Sequence, residues 1–255
     1  MIRGIYTSAT GMITQTKKMD VITNNIANID TVGFKKDGVT TEPFKDVLTL
    51  KINDRSEMAP VKRIGKMNLG TTINKVYTNF SQGLLKRTDN SYDIAIEGDG
   101  FIKVYKEDGN GNQIERYTRD GSFVVSKEGQ LLTKDGYYVA GKDGIIKVPD
   151  GDISINGSGD IFVDNKKIDT MKLVSFEDNT TLRKIGNNLL KTTEQSKQKK
   201  FEGTLLQGFI EGSNVSSVRE MVEMINTTKA YEINQKALKT SDEMLEKTVN
   251  EVGRV

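Results

Sequence analysis

The chain has 255 residues, enough for one large domain or two modest ones. Lys and Arg number 37 against 35 Asp and Glu, and a net charge of only +2 excludes a dedicated nucleic-acid binder with a strong basic face. Cys, His and Trp are absent, which removes thiolate metal sites, disulfides, thiol nucleophiles and the commonest general base. The apolar fraction is 35%, below the roughly 45–50% (glycine included) of compact domains, although the 24 glycines narrow that gap. No run approaches the roughly 18 apolar residues of a membrane span. The opening MIRGIYTSATGMITQTKK lacks the continuous apolar core of a secretory signal, so any export is expected to occur without a cleavable signal peptide.

From Gly4 to about Ile29 the apolar residues fall three and four apart, which predicts a helix. Within it Ile5, Met12, Met19 and Ile26 recur every seven residues. Asn28 to Gly33 then supply stop and turn residues, and the Asn24, Asn25 and Asn28 cluster suits helix termination. From Phe34 to about Tyr77 no period persists, and Pro43 and Pro60 fall here. That stretch reads as an extended connector with a few short strands.

From Thr78 to about Phe201 the signal is β. Asp-Gly recurs at 99–100, 108–109, 120–121, 135–136, 143–144 and 150–151, and such dipeptides suit tight hairpin turns. Strand-like runs lie between them, among them Phe101–Tyr105, Ser122–Val125, Ile153–Ile155, Ile161–Val163 and Met171–Phe176. Many short strands at this spacing predict an antiparallel sandwich or barrel-like domain. Ser217-Val-Arg-Glu220 reads as a capping box that opens a last helix running to about Val252. There Met224, Tyr231, Leu238, Leu245 and Val252 again recur every seven residues. A sustained seven-residue apolar column winds helices around helices, and these narrow columns suit a helix seam better than burial on a sheet. The expected fold is therefore α+β: an antiparallel β-rich middle, with N- and C-terminal helices pairing as a coiled-coil-like inner domain. On periodicity alone, the columns can pack against each other, against the chain's own β domain, or against neighbouring subunits.

Chemistry is sparse. Asp108-Gly-Asn110-Gly-Asn112 matches the first ligand positions of a calcium loop, but Gln113 replaces the turn glycine and Arg119 stands where the bidentate Glu belongs. A Gly/Asn hairpin loop is the simpler reading. Ser196-Lys-Gln-Lys199 fits Ser-x-x-Lys but lacks its companion elements and lies in the polar run Thr192–Lys200. No phosphate loop or nucleophile elbow is present, so neither a catalytic residue nor a metal or cofactor site is assigned. A carboxylate pair cannot be picked out from spacing, which leaves an envelope peptidoglycan hydrolase as the rival class.

Thr23-Asn-Asn-Ile-Ala-Asn-Ile-Asp-Thr-Val-Gly-Phe-Lys35 resembles the N-terminal signature of the bacterial flagellar rod and hook proteins. Its markers here are Asn24, Asn25, Asn28, Gly33 and Phe34. Gln207-Gly-Phe-Ile-Glu-Gly-Ser-Asn-Val215 and Glu220-Met-Val-Glu-Met-Ile-Asn-Thr-Thr-Lys-Ala-Tyr-Glu-Ile-Asn234 resemble the other end of that family. Ser81-Gln-Gly83, Asp93 to Phe101 and Tyr117-Thr-Arg-Asp-Gly-Ser-Phe123 resemble its β-domain landmarks, all in the right order. The opening Met-Ile-Arg, the long connector and the ending Asp242-Glu-Met-Leu245 resemble the distal rod branch more than proximal rod or hook members.

The resemblance implies a non-enzymatic axial subunit of a hollow helical tube that transmits torque from motor to hook. It implies an inner helical domain from residues 1–33 and 207–255, a connector at 34–80 and an outer β domain at 81–206. It also implies contacts with copies of itself, neighbouring rod proteins and the hook protein, with ring proteins as further candidates, and no nucleic acid or membrane insertion. The implied place is the basal body in the cell envelope. The subunit-packing residues are then the two heptad columns. The polar run at 191–200 has no role in that picture.

Overall fold

The computed structural model describes residues 2–52, 61–107, 113–149 and 151–252. The fold is α+β, with one long helix near each end and a mostly β middle. Among the described residues, no helix is long and apolar enough to cross a membrane. The chain divides into two compact units. One takes the described residues of 1–26, 37–77 and 217–255; the other takes 27–36 and 78–216.

In the first unit, α1 spans Ile2–Ala27 and α2 spans Ser217–Lys247. At 31 residues α2 is about 46 Å long. Threonine is a middling helix former because its hydroxyl competes for backbone partners. In α1 that competition is resolved within the helix. Thr7 Oγ1 donates to the Arg3 carbonyl at 3.0 Å, Thr14 Oγ1 to Thr10 at 2.9 Å, and Thr16 Oγ1 to Met12 at 3.0 Å. Thr14 also donates to the Thr71 carbonyl at 3.1 Å, which ties α1 to the strand Thr71–Thr78. That strand pairs with Asp37–Pro43, and Val47–Ile52 pairs antiparallel with Val61–Met67 across a bulge at Thr49/Leu50. The stretch read as a connector thus builds two strand pairs. Pro60 lies outside the described residues.

The second unit is antiparallel throughout its described pairings. Its largest sheet runs in the order Arg183–Gly186, Leu189–Lys191, Gln113–Thr118, Phe101–Glu107, Tyr138–Val139, Leu131–Thr133 and Phe123–Val125. Leu173–Phe176 adds onto Phe101–Glu107 and carries Gln198–Lys199. Ile153–Ile155, Asp160–Val163 and Lys166–Thr170 form a second sheet. Alternation on these strands feeds one apolar core, in which Ile102, Val104, Val139, Ile146 and Ile161 are fully buried. A second cluster packs Phe101, Tyr117, Val174, Phe176, Leu182 and Leu190.

The turn chemistry differs from the Asp-Gly reading in a physical way. Gly136 does take a left-handed φ of 83° in a hairpin. Gly121 serves another purpose: a Cβ there would lie 1.6 Å from the Ile94 carbonyl oxygen, so the glycine lets two backbones pass. The tightest hairpins instead use Asp164-Asn165 (φ 48° and 62°) and Asn187-Asn188 (φ 48° and 52°), two-residue turns in which both residues are left-handed. Residues 204–207 and 209–211, ahead of α2, are two strands separated by a turn at Gly208 (φ 76°). Thr204–Gln207 pairs with Ile94–Glu97, and Phe209–Glu211 with Leu85–Arg87.

Candidate functional site

Two constellations gather the residues singled out in the sequence. The first lies along the two helices. Asn25 is 1% exposed and acts as a three-way bridge. Its Nδ2 donates to the Asp37 carbonyl at 2.8 Å and to Glu220 Oε2 at 3.2 Å, while its Oδ1 accepts from the Asp37 N–H at 3.0 Å. An amide side chain can do this because it carries a donor and an acceptor side by side. Glu220, expected to cap its own helix, is itself 1% exposed and faces Asn25. Lys18 pairs with Glu223. A Cβ on Gly11 would lie 3.0 Å from the Asn234 amide, and one on Gly4 3.9 Å from Ser241 Oγ. Gly4–Ser241, Gly11–Asn234 and Asn25–Glu220 step in opposite directions in multiples of seven, so these contacts run antiparallel.

The predicted columns lie beside this line. Ile5, Met12, Met19, Ile26, Met224, Tyr231, Leu238 and Leu245 are all half-buried in the single chain, and for Val252 only the backbone is described. What the sequence reading missed is the second column on α2. Glu220, Thr227, Asn234 and Ser241 interleave with Met224, Tyr231, Leu238 and Leu245 at spacings of four and three, which puts both columns on one side of the helix. A polar column sends no hydrophobic signal. Gly4 and Gly11, seven apart on α1, were the trace that could have found it.

The second constellation centres on Glu211, which is 1% exposed. Its Oε1 accepts from Lys35 Nζ at 2.5 Å and from the Gly83 N–H at 2.7 Å. Arg119 Nη1 donates to Oε1 at 3.5 Å and lies 3.3 Å from Oε2, an ion-pair distance. Lys35 also donates to the Ser81 carbonyl at 2.9 Å. Arg119 Nε donates to the Gly100 carbonyl at 2.8 Å, its guanidinium lies 5.7 Å from the Phe101 ring centroid, and it reaches the Gly98 carbonyl. Burial pushes the Lys35 ammonium below its usual range, the neighbouring Arg119 charge adds to that, and Glu211 partly offsets both. Burial likewise lowers Arg119.

The signature strings close around this carboxylate. Gly33, at φ 68°, donates its N–H to the Glu211 carbonyl at 2.7 Å, and a Cβ on it would meet the Arg119 backbone at 2.6 Å. Only glycine fits both demands. Phe34 is buried with the Lys184 ammonium 4.1 Å from its ring centroid. Asn214 Oδ1 accepts from the Lys36 N–H at 2.7 Å, and its Nδ2 donates to the Asn79 and Ser81 carbonyls at 2.9 and 3.0 Å. Asn28 accepts from the Thr31 hydroxyl at 3.2 Å in the turn after α1, and Asn24 is exposed.

The remaining motifs are turns. Ser196 Oγ lies 2.8 Å from Thr181 Oγ1 and caps the Thr193 N–H at 3.0 Å, while Lys199 pairs with Glu202 at 3.0 Å. The polar run is thus a turn leading into an edge strand. The Asp108–Asn112 loop lies outside the described residues. Among the described residues no group of three acidic side chains could hold a metal ion.

The chain matches three family descriptions in order. These are "Flagella basal body rod protein" over residues 5–35, "Flagellar hook protein FlgE/F/G D1 domain" over 95–163, and "Flagellar basal body rod FlgEFG protein C-terminal" over 206–251. It is 36% identical over 261 residues to the flagellar basal-body rod protein FlgG of Buchnera aphidicola from Schizaphis graminum, covering 97% of this chain and 98% of that one. It is 35% identical over 272 residues to FlgG of Bacillus subtilis, covering 98% and 99%. To the basal-body rod protein FlgF of Caulobacter vibrioides it is 33% identical over the full length of both.

Proposed function

The chain belongs to the flagellar basal-body rod family, and from that premise we propose that it is a structural axial subunit of the distal rod. The observation that carries this reading is end-to-end similarity to rod proteins, with the signature residues Asn25, Gly33, Lys35, Arg119 and Glu211 held in buried, position-specific places. Several FlgG relatives precede the FlgF relative in similarity, which favours the distal branch.

In this reading the terminal helices pair as a coiled-coil-like inner domain, drawn from residues 1–33 and 207–255. Residues 34–80 form the connector and 81–206 the outer β domain. Copies repeat on a helical lattice to form a hollow tube. Contacts that do not close on themselves generate such a filament. Neighbouring rod proteins and the hook protein bound it axially, and ring proteins surround it. The subunit works in the cell envelope and transmits torque with no chemistry of its own. The heptad columns Ile5, Met12, Met19 and Ile26, with Met224, Tyr231, Leu238, Leu245 and Val252, supply the helical packing.

In-frame deletion of the gene, followed by electron microscopy of isolated basal bodies, tests the proposal. A truncated rod without a hook, restored by the intact gene, is the expected result. The stopping point separates distal from proximal. Complete rods and hooks would overturn it.

A further inference from the structure

Residues 32–36 lie in the β-rich unit as a strap, not as one of its strands. The chain enters that unit at Ala27 and leaves it after Lys36, and both flanks belong to the other unit. What holds the strap is distant in sequence. Asn188 Nδ2 donates to the Val32 carbonyl at 2.8 Å, the Gly33 N–H to the Glu211 carbonyl at 2.7 Å, and Lys184 Nζ to the Lys35 carbonyl at 2.5 Å. The Asn214 N–H donates to the Phe34 carbonyl at 3.4 Å, and its Oδ1 accepts from the Lys36 N–H at 2.7 Å. The Asn79 N–H donates to the Lys36 carbonyl at 2.8 Å.

The side chains of the strap are read one by one. Gly33 is left-handed, with the Arg119 backbone 2.6 Å from where a Cβ would stand. Phe34 is buried against the Lys184 ammonium. Lys35 is buried too, and its Nζ reaches Glu211 Oε1 at 2.5 Å and the Ser81 carbonyl at 2.9 Å. Backbone bonds along an extended segment, with places for successive side chains, are how proteins bind peptides. None of these contacts uses the covalent link between strap and β unit.

We propose that the residues around the strap form a peptide-recognition groove whose ligand is an extended Gly-aromatic-Lys segment, supplied here by the chain itself. The groove holds that segment whether or not it is joined to the rest of the chain. The main-chain bonds supply affinity. The glycine, the ring and the ammonium supply specificity, each through a different partner. The proposal does not depend on the rod reading, and its failure leaves that reading untouched.

The test uses the full chain with Gly33→Val, whose own strap cannot seat, and a dye-labelled synthetic peptide of residues 27–37, followed by fluorescence anisotropy. This variant should bind the peptide saturably, and a peptide carrying Gly33→Ala should bind about tenfold or more weakly. The parent chain should bind little peptide, because its own strap competes at a high effective concentration. Adding Lys184→Met to the Gly33→Val chain should weaken binding, since Phe34 and the Lys35 carbonyl of the peptide lose their shared partner. Should Gly33→Val unfold the β unit, the peptide should restore its near-ultraviolet tyrosine circular dichroism, because a ligand that binds only the folded form draws the chain toward it. Three outcomes overturn the inference: a folded variant that binds no peptide, an unfolded variant that peptide does not restore, and binding that is indifferent to Gly33→Ala or equal in the parent chain.

Discussion

Glu211 sits where removing one charge does more damage than removing its partner. It faces two buried cations, Lys35 and Arg119. Glu211→Gln leaves both uncompensated and close together, and should cost about 3–5 kcal/mol in urea unfolding of the full chain. Lys35→Met still leaves Glu211 with Arg119 and the Gly83 N–H, so it should cost clearly less. Equal losses would mean that Arg119 does not compensate the carboxylate. Asp120 offers a test by pH. Burial raises its pKa above 3.8, against the opposing pull of the Ser122 N–H at 2.9 Å and the Ser122 hydroxyl at 2.6 Å. A raised value means the folded chain holds a proton the unfolded chain has released. That stabilisation is full below 3.8 and is lost as pH rises through the folded value. Asp120→Asn keeps an acceptor oxygen for Ser122 and does not titrate. Its Tm relative to the parent should therefore rise between acid and neutral pH; a falling difference would mean the Ser122 hydrogen bonds dominate.

At the scale of elements, three glycines grade how closely α1 is approached. At Gly4 an added Cβ makes only an ordinary contact, 3.9 Å from Ser241 Oγ, so Gly4→Ala should gain part of the helix-interior propensity difference of about 0.8–1.0 kcal/mol, reduced because Gly4 lies in the first turn. Gly11 meets Asn234 at 3.0 Å, and the gain should be largely cancelled. Gly70 has φ 138° and a Cβ there would lie 2.0 Å from Thr10 Oγ1, so Gly70→Ala should destabilise. Thermal melts followed by helical circular dichroism should rank the three in that order; a stabilising Gly70→Ala would mean Thr10 moves aside freely. The elements were legible to different depths for a physical reason. Both helices showed themselves because apolar residues repeat with the helical period. The strands Thr204–Gln207 and Phe209–Glu211 did not, since both are short and lie just ahead of the helical pattern that follows. The hairpins at 164–165 and 187–188 were missed because Asp-Asn and Asn-Asn announce a left-handed turn less loudly than Asp-Gly. The Glu211 node was invisible in sequence, because Lys35, Gly83, Arg119 and Glu211 meet only through long-range folding. Its members nonetheless all fall inside the family strings.

For the whole molecule the question is what the heptad columns are for. Periodicity puts Leu238 in a seven-residue apolar column but does not say what that column packs against. In the folded chain Leu238 is half-buried and lies between Asn234 and Ser241, which meet Gly11 and Gly4, while Val222 is more than half exposed. A carboxylate at this half-buried position carries a desolvation cost within one chain before any neighbour is involved. Leu238→Glu should therefore reduce helix content in the isolated chain as well as its incorporation into basal bodies. Val222→Glu, at a position more than half exposed, should leave helix content unchanged. Circular dichroism of the purified chains, paired with recovery of tagged subunits in basal bodies, reads both quantities. A fully helical Leu238→Glu that fails to assemble would instead make the heptad column a contact between subunits.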